Sequence, residues 1–183
     1  MLGRSITEID MWSIFQRRID EAERQAGIQY LRQLCKLVGT FDRDAEEYNQ
    51  IFDRFNDTAS PTSADAEQLE TTANRSENVA GALSSTHSAI ADVPPVAQEA
   101  FNAWTEAFKE YFMFAAHRAL NAGFLAKHGR APLDQTLHMQ HYHRFSKALS
   151  TAQRHLKKLA RRLSVSNEEL AEWFVEGRAE MMP

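Results

Sequence analysis

One run of apolar residues near the C-terminal end constrains the fold of this chain more than any other feature. Its members recur at alternating intervals of four and three residues: Phe145, Leu149, Ala152, Leu156, Leu159 and Leu163. A heptad of this kind is typical of a helix that buries one stripe of side chains against neighbouring helices. The run therefore predicts a long helix that packs within a helical bundle.

Residues that break helices are scarce in the rest of the chain. Its 183 residues include only seven Gly and five Pro, and several long stretches contain neither. Apolar residues at helical spacing predict helices over 5–38, 42–57, 63–92, 95–127, 132–163 and 166–179. Ser5 with Glu8, and Ser166 with Glu169, match the capping box, and Gly39 is expected to end the first helix. We expect one all-α domain over 1–183, a bundle of five to six helices with a C-terminal helical hairpin.

Several features of the sequence predict a soluble cytoplasmic protein. Cys35 is its only cysteine, so no intramolecular disulfide can form, and its apolar neighbours favour a buried thiol over a nucleophile. The first 13 residues include Glu8 and Asp10 and lack the apolar core of a signal peptide. No window approaches the roughly 18 uninterrupted apolar residues of a membrane span. We expect no membrane partner.

Charge is distributed very unevenly along the chain. Residues 1–110 contain ten Lys/Arg against nineteen Asp/Glu, whereas residues 111–167 contain ten Lys/Arg against a single acid, Asp134. Residues 168–183 return to acidity, with five Glu against Arg178. A split of this kind within a short chain points to charged partners.

The basic charge is concentrated on the helix that carries the heptad. From Gln135 to Asn167, 33 consecutive residues include no Asp or Glu. With Leu149 and Leu156 at heptad position a, the lysines and arginines fall at positions b, c, f and g, off the apolar stripe. They are Arg144, Lys147, Arg154, Lys157, Lys158, Arg161 and Arg162, and we call this set the basic face. No acid stands one helical turn away to neutralise it.

Several cations along one rigid helix suit the phosphate backbone of a nucleic acid, which attracts them without regard to sequence. The first hypothesis is therefore a non-enzymatic helical subunit that contacts nucleic acid through helix 135–163, within a larger nucleoprotein complex. The alternative is an interaction or scaffold bundle whose basic helix docks on acidic protein surface, within the fold, across a homo-oligomer or on another protein. Binding to an anionic membrane is disfavoured, because the basic face offers no bulky apolar residue to insert.

A helix-turn-helix is a further possibility at the C-terminal end. Ser164, Val165 and Ser166 form a short turn between two helices with apolar stripes. The second of these helices is acidic and would repel DNA. A helical hairpin packed by Trp173 and Phe174 is therefore the favoured structure.

A histidine cluster supplies the third hypothesis, a metal-dependent helical enzyme. His138 and His141 share a helix face, with Asp134 one turn earlier, and these side chains can bind a divalent first-row metal. Further ligands can come from the preceding helix, which carries Glu106, Glu110 and His117. No HExxH pair, phosphate-binding Gly loop or nucleophile elbow is present. We therefore expect no catalytic residue, no metal and no cofactor.

Overall fold

The computed structural model describes residues 19–129 and 135–180, which fold as an all-α, single-domain bundle. The helices are α1 (Glu21–Asp57), α2 (Ser63–Ser88), α3 (Gln98–His128), α4 (Gln135–Leu163) and α5 (Asn167–Ala179), with a 3-10 turn at Pro95–Ala97. The described residues contain no strand. The predicted fold class is thus confirmed, while the predicted helix start at Ser5 lies outside the described residues.

The predicted break at Gly39 is wrong, because α1 continues through it to Asp57. A Cβ atom at Gly39 would overlap the carbonyl oxygen of Phe174, and one at Gly177 would overlap the backbone of Lys36. The two glycines therefore allow α1 and α5 to cross with their backbones in contact. A glycine inside a helix lowers its stability by about 1 kcal/mol relative to alanine. At Gly39 and Gly177 this loss accompanies the close packing of the two helices.

The core lies around α3, which packs on both α2 and α4. The centre of this core is occupied by three aromatic residues of α3 that are each 1% exposed: Trp104, Phe108 and Tyr111. The heptad stripe of α4 faces the same core, with Ala152, Leu159 and Leu163 fully buried there and its other members partly buried. The heptad prediction for this helix is therefore confirmed.

The last helix packs along α1 rather than along α4. Ser166 and Glu169 form the predicted capping box at its start. At its end, Arg43 of α1 donates to the carbonyl oxygens of Arg178 (2.9 Å) and Glu180 (2.8 Å). The two helices of the expected C-terminal hairpin are consecutive, but they diverge after the turn and leave a groove between them.

Two further predictions concern the burial of Cys35 and membrane-spanning helices. Cys35 is 4% exposed, and burial raises the pKa of its thiol to about 12, so it behaves as a small apolar residue. Over residues 19–129 and 135–180, none of the helices combines the length and the apolar character that a bilayer crossing requires.

Candidate nucleic-acid interface

All seven side chains of the basic face are exposed to solvent. They lie on the side of α4 opposite the stripe that packs on the core. From Arg144 to Arg162 the face extends about 27 Å, given a rise of about 1.5 Å per residue. Lys147, Arg154 and Arg161 repeat every seven residues and form a row with about 10.5 Å between neighbours.

The C-terminal end of α4 is fixed in place by hydrogen bonds. Ser164 adopts a left-handed backbone conformation with φ of 58°, and the amide of Val165 donates to the carbonyl oxygen of Ala160 at 3.0 Å. Arg24 of α1 donates from Nε to the carbonyl oxygen of Leu163 at 3.2 Å. These contacts hold the helix end that carries Arg161 and Arg162 against α1.

Only one acid within the described part of the chain pairs with the basic face. Glu99, at the start of α3, accepts a hydrogen bond from Lys158 Nζ at 2.8 Å and lies 3.5 Å from His155 Nδ1. The hydrogen bond from Lys158 is the main cause that lowers the pKa of Glu99, with a smaller contribution from nearby Arg162. The pair is exposed, since both side chains keep about two thirds of their accessible surface. One exposed carboxylate leaves most of the seven cations uncompensated.

Two acidic side chains at the C-terminal end of the described chain pair with α1 and not with the basic face. Glu176 pairs with Arg32 at 3.0 Å and with Lys36 at 3.4 Å, both on α1, and Lys36 also pairs with Glu180. In the opposite direction, Arg178 of α5 pairs with acids of α1. The internal acids that the sequence offered as competitors for the basic face are thus partly occupied at the α1–α5 contact.

The histidines of the third hypothesis come together across α3 and α4. His117 and His138 approach to 3.4 Å between their Nδ1 atoms, and the ring centroids of His117 and His141 are 5.3 Å apart. Burial is the main cause that lowers the pKa of His138, and His117 and Arg118 add to it. This places His117 beside the predicted pair.

The donor atoms of this cluster do not converge on one point. Among residues 19–129 and 135–180, no set of three His, Cys, Asp or Glu side chains has the arrangement that would hold a metal ion. Glu110 and Glu106 lie two or more turns from His117 along α3, about 10 Å or more. Asp134 lies outside the described residues, so the metal hypothesis in its predicted form stays a prediction.

A buried charged network is the most unusual polar feature that the sequence did not reveal. Asp44 of α1 accepts hydrogen bonds from Tyr111 Oη at 2.5 Å and Ser76 Oγ at 2.8 Å, and Arg118 donates to Ser76 Oγ at 2.8 Å. The guanidinium carbon of Arg118 lies 3.8 Å from the ring centre of Tyr48. Asp44 and Arg118 are 4% and 6% exposed. The network therefore joins α1, α2 and α3 through two buried opposite charges.

One signal of this network is present in the sequence. Arg118 follows Tyr111 by seven residues and Phe114 by four, which places a cation on the apolar stripe of the most apolar helix. A buried charge requires a partner. Nothing local identified that partner as Asp44, because it lies on a different helix.

Comparison with known proteins adds no relative to this picture: no family model, curated protein or solved structure matches the chain.

Proposed function

We propose that this protein is a non-enzymatic helical subunit that contacts a nucleic-acid backbone through the basic face of α4, within a larger nucleoprotein complex. The observation that carries the proposal is the exposure of all seven cations on a helix that contains no acid. Such a surface attracts polyanions in a salt-dependent manner, because binding releases the counterions condensed on the phosphates.

The helix dipole alone does not explain where the cations lie along α4. Positive side chains in the last turn of a helix are stabilised by the helix dipole, which accounts for Arg161 and Arg162. The same effect does not reach Arg144, Lys147 or Arg154, which lie more than one turn from the C-terminal end. Their accumulation on one exposed face without acids supports an external partner of negative charge.

The dimensions of the basic face suit a phosphate backbone. One strand of duplex DNA carries a phosphate every 3.4 Å or so along the axis. A face of about 27 Å therefore lies beside about eight phosphates of a strand. The face is long and narrow, and its cations can contact the backbone without reading bases.

Fluorescence anisotropy with labelled single- and double-stranded oligonucleotides, measured over a salt series, tests the proposal. We expect binding at low salt and a linear fall of the logarithm of the binding constant with the logarithm of salt concentration. A variant with Lys157, Lys158, Arg161 and Arg162 all changed to Glu should weaken binding by more than tenfold. The matched control exchanges Lys for Arg and Arg for Lys at the same four positions and should retain the salt slope, since backbone attraction depends on charge.

Two outcomes would contradict the proposal. One is the absence of salt-dependent binding to any oligonucleotide at low ionic strength. The other is equal binding by the wild type and the charge-reversal variant, with circular dichroism showing that both are folded.

A protein partner is the second candidate, and a specific observation favours it. Large apolar side chains are exposed on α3 and on the first turns of α4, among them Leu120 at 74% and Met139 at 44%. Contact with a protein partner would remove these side chains from water, which is favourable. A bundle that binds acidic protein through the basic face should form a complex that dissociates as ionic strength rises. Light scattering that finds an inert monomer at low salt would count against this candidate.

A further inference from the structure

The divergence of α4 and α5 opens a groove of about 350 Å³ directly beside the basic face. Its floor is formed by Cys35 and Val38 of α1 and by Trp104 of α3, and all three are buried or partly buried. The volume falls at the lower end of the range of about 300–1,000 Å³ found for small-molecule sites. It exceeds the cavity of about 150 Å³ that accommodates benzene. The groove therefore has room for one flat ring system.

The walls of the groove are apolar and partly aromatic. Leu156 of α4 forms one side, and Leu170 and Phe174 of α5 form the other. Aromatic and aliphatic side chains in this arrangement offer stacking and van der Waals contact to both faces of a planar ring. They offer no charge that would favour one particular ring over another.

The mouth of the groove is polar and belongs to α4. Gln153 and Lys157 line it, one helical turn apart, and both side chains are exposed. An amide such as that of Gln153 can both donate to and accept from the edge of a base. Lys157 is also a member of the basic face, with Arg154 and Arg161 one turn away on either side. The groove and the row of cations are thus parts of one continuous surface.

We propose that this groove receives an unpaired nucleobase from a single-stranded nucleic acid whose phosphates lie along the basic face. A nucleotide combines an apolar ring face, a hydrogen-bonding ring edge and an adjacent anion, and the groove offers a matching feature for each. An apolar carboxylate would need a single cation at the mouth, whereas the cations continue along α4 for about 27 Å. A repeating anion with a ring on each unit fits this surface better. The inference rests on the proposed function, and it adds a preference for single strands.

The experiment compares three labelled ligands of equal length by anisotropy with the full chain at fixed salt. They are a single strand of oligo(dT), an abasic strand with the same phosphates, and a duplex. Base stacking on a protein aromatic contributes about 1–3 kcal/mol per base. We therefore expect the wild type to bind oligo(dT) about 5- to 150-fold more tightly than the abasic strand.

Two variants test whether the groove is the source of that difference. Ala171→Leu fills the groove from α5 at an exposed position, and Gln153→Leu removes the amide at its mouth. Ala171→Leu should bring the affinity for oligo(dT) down to that for the abasic strand, and Gln153→Leu should lower it part of the way. Neither variant should change the affinity for the abasic strand. Val175→Leu is the matched control, because Val175 is exposed on the same helix and does not line the groove.

The outcomes separate this inference from the proposed function. Equal affinity of the wild type for oligo(dT) and the abasic strand, with salt-dependent binding to both, overturns the inference and leaves the proposed function in place. Retention of the oligo(dT) preference in both folded groove variants also overturns it. No salt-dependent binding to any of the three ligands overturns both. Displacement of oligo(dT) by a medium-chain fatty acid, with no preference over the abasic strand, identifies a lipid site and overturns the inference.

Discussion

Helices α1 and α4 both carry many cations, yet they use them in different ways. On α1, Arg32 and Lys36 pair with glutamates of α5, and Arg43 caps the last carbonyls of that helix. On α4, Lys158 alone forms an ion pair with an acid of the described residues, and the rest of the basic face meets solvent. The two helices also differ in their own acids, because α1 contains eight Asp or Glu residues and α4 contains none. A second difference is that an acidic helix, α5, packs along α1.

The acidic and basic segments of the sequence are placed differently in the fold. Two acids of the C-terminal segment, Glu176 and Glu180, pair with α1, so their charge is complemented within the fold. The basic segment has no such partner among the described residues. Its charge is therefore available to a molecule outside the chain.

The largest effect on stability is expected where the opposite charges are most deeply buried. Asp44→Ala removes the acceptor of Tyr111 and Ser76 and leaves Arg118 as a buried cation without its counter-charge. Loss of one partner from a buried charged network costs about 3–5 kcal/mol. Urea unfolding should show this loss, and Asp44→Asn should lose less because it keeps an acceptor oxygen. A cost below about 1 kcal/mol for Asp44→Ala would show that the charges are not coupled.

The next effect concerns the backbone contact that brings the acids of α5 to α1. Gly39→Ala should destabilise the protein by about 3 kcal/mol, because its Cβ overlaps backbone that cannot move aside. Gly81→Ala is the control, since its Cβ would make ordinary contacts of 3.5 Å with Phe112. That change should stabilise the protein by about 0.5–1 kcal/mol through helix propensity. Equal urea midpoints for both variants would show that α1 and α5 do not cross at Gly39.

A smaller effect should appear with pH at a buried neutral side chain. His87 is 0% exposed, and burial lowers its pKa to about 4. In the unfolded chain the imidazole takes up a proton near pH 6.5, whereas in the folded chain it stays neutral until about pH 4. The free energy of unfolding therefore falls as the pH decreases from about 6.5 towards 4. Between pH 7.5 and pH 5 the loss from this group is about 2 kcal/mol.

The variant His87→Phe isolates that contribution. It keeps an aromatic ring at 4.8 Å from the ring centroid of Phe101 and cannot titrate. Urea unfolding of the variant should show about 2 kcal/mol less pH dependence than the wild type over the same interval. Identical slopes for the two proteins would contradict a neutral buried imidazole.

The smallest effect is expected at the ion pair between Lys158 of the basic face and Glu99. Glu99→Gln removes the acid that pairs with Lys158 and frees this cation for phosphate. Salt titrations with duplex DNA should then give a slope steeper by up to about 0.9, the value for one additional phosphate contact. Glu106→Gln is the control, because Glu106 lies on the same helix and pairs with Lys109 of that helix. Equal slopes for the two variants would show that Lys158 plays no part in binding.

Features that depend on neighbours along the chain were predictable from the sequence. The heptad of α4, the capping box at Ser166 and the position of the basic residues off the apolar stripe follow from residue spacing within one helix. Whether the basic face met solvent or an acidic surface of the fold could not be decided in this way. The misassigned break at Gly39 has a different origin. A glycine at a helix end and one at a helix crossing look the same in sequence, and only the approach of Phe174 and Gly177 decides between them.

Features that depend on the direction of a helix axis could not be predicted from the sequence. The network of Asp44 and Arg118 requires α1, α2 and α3 to meet, and the groove requires α5 to turn away from α4 towards α1. Both result from long-range packing, in which residues far apart in the chain become neighbours. His117 beside His138 is an intermediate case, since the sequence supplied both residues and the structure supplied their proximity.

The salt dependence of nucleic-acid binding by two charge-matched triple variants tests the central claim most directly. One variant carries Gln at Lys147, Arg154 and Arg161 of the basic face, and the other carries Gln at Arg32, Lys36 and Arg43 of α1. We predict that the first lowers the magnitude of the salt slope by up to about 2.7 for duplex DNA, at about 0.9 per lost contact, and keeps its urea midpoint. The second should keep the slope and lower the midpoint. Equal slopes for the two variants would contradict the claim that the unpaired cations of α4 form the binding surface.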